Sequence, residues 1–273
     1  MITDQQKNAY LSKIGITDTI KVCKTDLKRL VEGHCFTFPY ETFNVHDSTF
    51  DHDPKKRSSL AFSTLFKKLL KENRGGRCVE LNIFLQKMLQ SFGFEVMPIL
   101  PETLWHHEDK KKGERPKHSA ALVTCEGQTF LVDAAFGGLG ILSPLPLKPG
   151  TYPQYSETFK LVAKTDYAYE LYSKQEDQWK AIYGFDCKEA SLAHYANIDA
   201  QNSEPLREKC YFKNYFICTK PFKIDNNKNG RVRLVNEEFM IYENGKMTLK
   251  QNITSQQQFH ALAKDYFNID LRG

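Results

Sequence analysis

Cys78 stands in the run Arg74-Gly75-Gly76-Arg77-Cys78-Val79-Glu80-Leu81-Asn82. A cysteine becomes a strong nucleophile as its thiolate, and the surrounding pattern favours that form. Leu81, Phe84, Leu85, Met88, Leu89 and Phe92 recur at helical spacing, and Gly93 is a natural stop. Cys78 therefore falls in the first turn of an amphipathic helix, where the helix dipole and open N–H groups favour negative sulfur. The two glycines before it allow a tight turn with positive φ and a close backbone approach. A small buried cysteine at a helix start would show much of the same pattern. The Gly-Gly pair and Arg77 tilt the balance toward chemistry.

His118 precedes the apolar run SAALVTC, and Asp133 closes TFLVD, with Glu126-Gly127 between them. A hairpin centred on that dipeptide pairs Cys125 with Gln128 and, continuing outward, sets Asp133 opposite Ala120. His118 is then on the face of Asp133, at a diagonal spacing of roughly 7–8 Å. Side chains of this length can meet across that gap. The pair alone fits a structural hydrogen bond; joined to Cys78 it makes a Cys-His-Asp triad, in which the acid orients an imidazole toward the thiol. Asp133-Ala134-Ala135-Phe136-Gly137-Gly138 then enters a glycine-bearing loop. Phe136 either walls a pocket beside the triad or caps the core.

The elements that must hold these residues change character along the chain. Thr3-x-x-Gln6 fits a capping box ahead of Tyr10, Leu11 and Ile14. Leu27, Leu30 and Val31 form a second apolar stripe, and Leu65, Phe66, Leu69 and Leu70 a third. From Phe94 short apolar runs punctuated by turn residues follow: FEVMPIL, AALVTC, TFLVD, TFKLVA, YAYELY and QWKAIYGF. These predict a barrel or a strongly twisted sheet. After Glu204-Pro205 come YFIC, VRLV and EEFMIY, and a last helix from about Ser255, where Ser255-x-x-Gln258 again fits a capping box. The fold class is α+β, in three parts: 1–93 helical and carrying the nucleophile, 94–204 β-rich and carrying His118 and Asp133, 205–273 mixed.

Length and composition narrow the function. The 273 residues are 41% hydrophobic and 26% charged, which is ordinary globular usage and excludes a disordered chain. No run of about 18 apolar residues is present and the first twenty lack an apolar h-region, so a cytoplasmic protein with no membrane partner is expected. Lys and Arg total 38 against 33 acids, a net +5, interleaved rather than clustered, so no nucleic-acid partner is expected. The Lys110-Lys111-Lys112 to Lys117 stretch reads as a solvated loop. Seven cysteines without a C-x-x-C pair point to reduced thiols and no metal site. His106-His107 reads as a polar loop rather than a metal fragment.

RGGRCVELN, the His118…Asp133 pair and DAAFGG resemble the arylamine N-acetyltransferases. His34-Cys35-Phe36-Thr37-Phe38-Pro39-Tyr40-Glu41-Thr42-Phe43 is similar to that family's segment ending in Pro-aromatic-Glu-Asn, and Asn214 to Pro221 to its Asn-aromatic…Ser-Thr…Pro strand. The resemblance covers essentially the whole chain. It implies a helical part, a central β-barrel-like part and a C-terminal α/β lid, with a core shared with papain-like cysteine proteases. It also implies acetyl transfer from acetyl-CoA to the nitrogen of an aromatic amine or hydrazine, or the oxygen of an arylhydroxylamine, of the kind met in xenobiotic metabolism.

By position, the resemblance makes Cys78 the acetylated nucleophile, His118 its general base and Asp133 the residue that fixes the imidazole. Glu41 and Arg74 match a buried ion pair of structural support. Phe136, Gly137 and Tyr40 match the acceptor pocket, and Thr219 matches a hydroxyl that contacts coenzyme A. Thr42 stands where the family usually has Asn, Ala135 replaces a common Gly, and the charged stretch Trp105 to Lys117 is slightly long. A papain-type protease fits less well: His118 follows Cys78 by 40 residues, against about 130 or more there. A non-catalytic binding protein would not require all three triad residues.

Overall fold

A computed structural model of the chain describes residues 1–43, 59–107, 109–203 and 216–271. Asn214, Tyr215, Cys210 and the boundary drawn after 204 lie outside them. The first helix, α1 (Asp4–Lys13), opens with the expected Thr3–Gln6 capping box. Helix α2 (Lys24–Thr37) buries Leu27, Leu30 and Val31 completely. Strand β1 (Tyr40–Glu41) follows; α3 (Phe62–Phe66) then runs into a π-helical turn over Lys67–Lys71. Helix α4 (Cys78–Ser91) starts at Cys78 and stops before Gly93, whose φ is +96°.

The β-rich region forms two open antiparallel sheets. One is β2 (Glu95–Ile99), β4 (Ala120–Cys125), β5 (Gln128–Val132) and β6 (Leu145–Pro146), in that order; β3 (Glu102–Thr103) belongs to the other. There it is followed in spatial order by β10 (Gln178–Phe185), β9 (Tyr169–Gln175), β8 (Glu157–Ala163) and β7 (Gly150–Gln154). The expected barrel is thus not closed. Pro98, Pro146 and Pro153 sit in the edge strands β2, β6 and β7. A proline has no N–H to extend a ladder, so these edges end their sheets. Helix α5 (Leu192–Ser203), which apolar periodicity did not announce, packs against α4.

The third sheet is β1 with β11 (Ile217–Lys223), β12 (Asn229–Val235), β13 (Glu238–Glu243) and β14 (Lys246–Asn252), backed by α6 (Gln256–Phe267). Strand β1, from the helical part of the sequence, is its edge, with Tyr40 opposite Thr219 and Glu41 opposite Cys218. Thr42 extends the join: its N–H donates to the Ile217 carbonyl at 3.0 Å, and its Oγ1 accepts from the Ile217 N–H at 3.0 Å. The β14 strand escaped sequence reading because all but one of its side chains are exposed.

Three apolar clusters result. Helices α1, α2 and α4 pack on one face of β4 and β5 through Ala121, Val123 and Val132. The opposite face, through Ala120, Leu122 and Leu131, packs on Phe159, Leu171 and Ile182 of the second sheet. Phe43, Phe216 and Phe259 centre the third. The β4–β5 hairpin is therefore buried on both sides, which fixes its register.

Candidate active site

The hairpin turn is at Glu126-Gly127, both with positive φ, and pairs Cys125 with Gln128 and Ala121 with Val132, as expected. His118 and Asp133 meet just past the ladder: His118 Nε2 lies 2.8 Å from Asp133 Oδ2. Both are buried, Asp133 completely. Cys78 lies close enough to the imidazole to act on its charge. Burial opposes a charged imidazole here, but the Asp133 carboxylate and the Cys78 contact overcome it and hold His118 up at about 10. His118 therefore keeps its proton to higher pH than an ordinary imidazole. Asp133 is pushed up by burial, yet His118, the Ala135 N–H and Asn82 bring it below the ordinary carboxylate range.

Asn82, one helical turn beyond Cys78, ties the helix to the hairpin. Its Nδ2 donates to the Ser119 carbonyl (2.6 Å) and to Asp133 Oδ1 (3.0 Å), and its Oδ1 accepts from the Ala134 N–H at 2.9 Å. Ser119 Oγ donates to the Cys78 carbonyl at 2.6 Å. The ring of Tyr183 lies 5.4 Å from that of His118, and Phe136 meets the imidazole edge-on at 5.1 Å. Asn82, Ser119 and Tyr183 were missed from sequence. Only Asn82, at the i+4 position from Cys78 in RGGRCVELN, carried a usable signal.

The glycines before Cys78 act through proximity, not through positive φ, which neither adopts. The Gly76 N–H donates to the Pro39 carbonyl at 3.2 Å, and the Glu41 N–H donates to the Gly76 carbonyl at 3.0 Å. A Cβ at Gly75 would lie 2.0 Å from the Pro39 oxygen and 2.8 Å from Glu41 Cγ. Gly75→Ala should therefore lower stability by about 3 kcal/mol. Urea unfolding reads this as a lower midpoint with an unchanged slope; a wild-type midpoint would remove the close approach from the account.

That approach brings in buried charge. Arg74 Nη2 lies 3.0 Å from Glu41 Oε1, forming the expected ion pair, and Lys68 Nζ lies 3.8 Å from the same oxygen. Lys68 Nζ is also 2.6 Å from Glu80 Oε1, while Glu80 Oε2 accepts from the Arg77 N–H at 2.8 Å and so caps α4. Burial pushes the Glu80 carboxyl up, but Lys68 and Arg77 prevail and hold it down at about 2.

Cys78, His118, Phe136, Gly137 and Tyr40 line one cavity of about 470 Å³, with Asp133 behind His118. The Trp105-His106-His107 loop, Lys117 and Arg233 also line it, so this polar loop faces the site. Among the described residues no cluster of three or more His, Cys, Asp or Glu could hold a metal. Thr219 is placed elsewhere: it borders a small neighbouring cavity of about 20 Å³ behind Phe136 and Gly137, where its buried Oγ1 has no hydrogen-bond partner. Gly137 (φ +39°) and Gly138 (φ +105°) turn the loop between the two cavities.

Known proteins share this arrangement of elements. Residues 25–273 match the N-acetyltransferase family model. Proansamycin X synthase of Amycolatopsis mediterranei is 26% identical over 268 residues, 93% of each chain. The arylamine N-acetyltransferase of Salmonella typhimurium superposes with a TM-score of 0.86 at 20% identity, over 98% of this chain and 92% of that one. The Mycobacterium marinum arylamine N-acetyltransferase in complex with CoA gives 0.81 at 23% identity, over 96% and 92%. At these identities the structural likeness establishes the fold, and the family match establishes the class, an N-acetyltransferase. The chain belongs to the arylamine N-acetyltransferase family.

Proposed function

We propose that the protein transfers an acetyl group from acetyl-CoA to the nitrogen of an arylamine or hydrazine, or to the oxygen of an arylhydroxylamine, through an acetyl-Cys78 intermediate. One observation carries the reading: Cys78 and His118 line the same cavity, with Asp133 buried 2.8 Å behind the imidazole. The Cys78 thiolate, facing the His118 imidazolium, attacks the thioester carbonyl carbon, and the new C–S bond forms as the carbonyl becomes an oxyanion. The Cys78 N–H, at the positive end of α4, stabilises that oxyanion. Collapse expels coenzyme A, whose sulfur takes the proton from His118. The amine then attacks acetyl-Cys78, His118 accepts the amine proton, and the Cys78 thiolate leaves.

Asp133 holds the ring and stabilises its positive form. Thioester exchange is nearly isoenergetic and amide formation is downhill, so the scheme needs no metal. Phe136, Gly137 and Tyr40 wall the acceptor; Arg74 and Glu41 support the floor; Thr219 contacts coenzyme A from beyond the glycine loop. The parts 1–93, 94–204 and 205–273 act as nucleophile-bearing, base-bearing and lid segments, around a papain-like pairing of α4 with the hairpin. Free thiols at all six described cysteines suit a cytoplasmic setting.

Kinetics test this directly. With aniline-type and hydrazide acceptors at several acetyl-CoA concentrations, double-reciprocal plots should be parallel, because the acetyl group rests on the enzyme between half-reactions. Intersecting lines would put transfer inside a ternary complex and sink the scheme.

A further inference from the structure

Lys68 is 4% exposed, in a segment where Leu65 and Leu69 are fully buried. A lysine there needs a reason, since its ammonium gives up water. The π-helical turn over Lys67–Lys71 carries it to 2.6 Å from Glu80 Oε1. The other Glu80 oxygen caps the Arg77 N–H, immediately before Cys78. Gly76 presses from the far side, where an added Cβ would come within 2.9 Å of Glu80 Cβ. The carboxylate therefore has one seat, and that seat orders the backbone from which Cys78 projects.

The seat has a cost for the nucleophile. A buried negative charge two residues from Cys78 opposes a negative sulfur, and in the interior that repulsion is poorly screened. Glutamine caps a helix in the same geometry without charge, yet this chain has glutamate with a buried lysine upon it. We propose that Lys68 is a positioning residue for the nucleophile, cancelling the capping carboxylate so that Glu80 orders the start of α4 without opposing charge on the Cys78 sulfur. This rests on the reading of Cys78 as the nucleophile. Lys68 also approaches Glu41 at 3.8 Å, so it joins the α4 cap to the Arg74–Glu41 pair beneath the Gly-Gly segment.

The test compares wild type, Lys68→Met, Lys68→Arg and the pair Lys68→Met with Glu80→Gln. Two rates are read: alkylation of Cys78 by iodoacetamide, followed by peptide mapping, and the burst of coenzyme A released on mixing with acetyl-CoA. Lys68→Met should slow both roughly 10–100-fold, the worth of one charge-assisted contact. Arg77, with Nε 3.6 Å from Glu80, keeps that carboxylate ionised in this variant. Lys68→Arg and the double variant should recover to within about threefold, because the pair acts as a coupled unit. A purely structural lysine would leave the double variant as slow as Lys68→Met.

Wild-type alkylation in a folded Lys68→Met protein, or a double variant that stays slow, overturns the proposal. If Lys68→Met does not fold, the double variant decides alone by the same criterion. Alkylation needs no acetyl-CoA. A wild-type protein that alkylates rapidly at Cys78 but accepts no acetyl group would therefore defeat the transferase reading and leave this one standing.

Discussion

Cys78→Ala should remove acetyl transfer down to the uncatalysed background while leaving the fold intact. Removing the nucleophile of a comparable triad in a serine protease costs about 2 × 10⁶ in turnover. The alanine keeps the helix start, and the cap from Glu80 to the Arg77 N–H does not involve the sulfur. Coenzyme A release with an arylamine acceptor measures the loss, and thermal unfolding checks the fold. Activity within about a hundredfold of wild type would mean that the acetyl group never visits Cys78, since direct transfer from a bound thioester needs only proximity.

The second large effect is at Asp133. Asp133→Asn should fold, because the amide fits the same volume and can still accept from Asn82 and the Ala135 N–H, now 3.0 Å from Oδ1. It cannot balance an imidazolium, and its NH₂ favours the wrong tautomer of His118. In a Ser-His-Asp enzyme the equivalent change costs about 10⁴-fold in turnover. Stopped-flow acylation should show the same loss as steady-state turnover. Near-native circular dichroism with near-native turnover would remove Asp133 from the mechanism.

Much of the site was legible in the sequence, for local reasons. The α4 start was visible because Leu81 to Phe92 keep helical period and Gly93 stops it. The His118–Asp133 meeting followed from one turn, Glu126-Gly127, whose pairing leaves no freedom in which residues share a face. What escaped was non-local. Nothing local in Phe66-Lys67-Lys68-Leu69 marks Lys68 as buried, and only the π-helical turn and the distance to Glu80 show its place. Ser119 lies just before β4 and Tyr183 within β10 of the other sheet, and nothing in their neighbours marks them. The barrel expectation failed because alternating strands predict sheets but not closure; the edge prolines decide that. The glycine conformations before Cys78 were misjudged for a related reason, since the approach of Pro39 and Glu41 is set by strand β1 and not by the turn itself.

The central claim is that Cys78 carries the acetyl group, and one measurement addresses it without an acceptor. The protein is mixed with acetyl-CoA alone, quenched in acid, and its peptides are mapped by mass spectrometry. The account predicts one acetyl group per chain, on the peptide containing Cys78, discharged on adding an arylamine and absent from Cys78→Ala. An unmodified Cys78 peptide, or acetylation that settles on another cysteine and survives the amine, would contradict it.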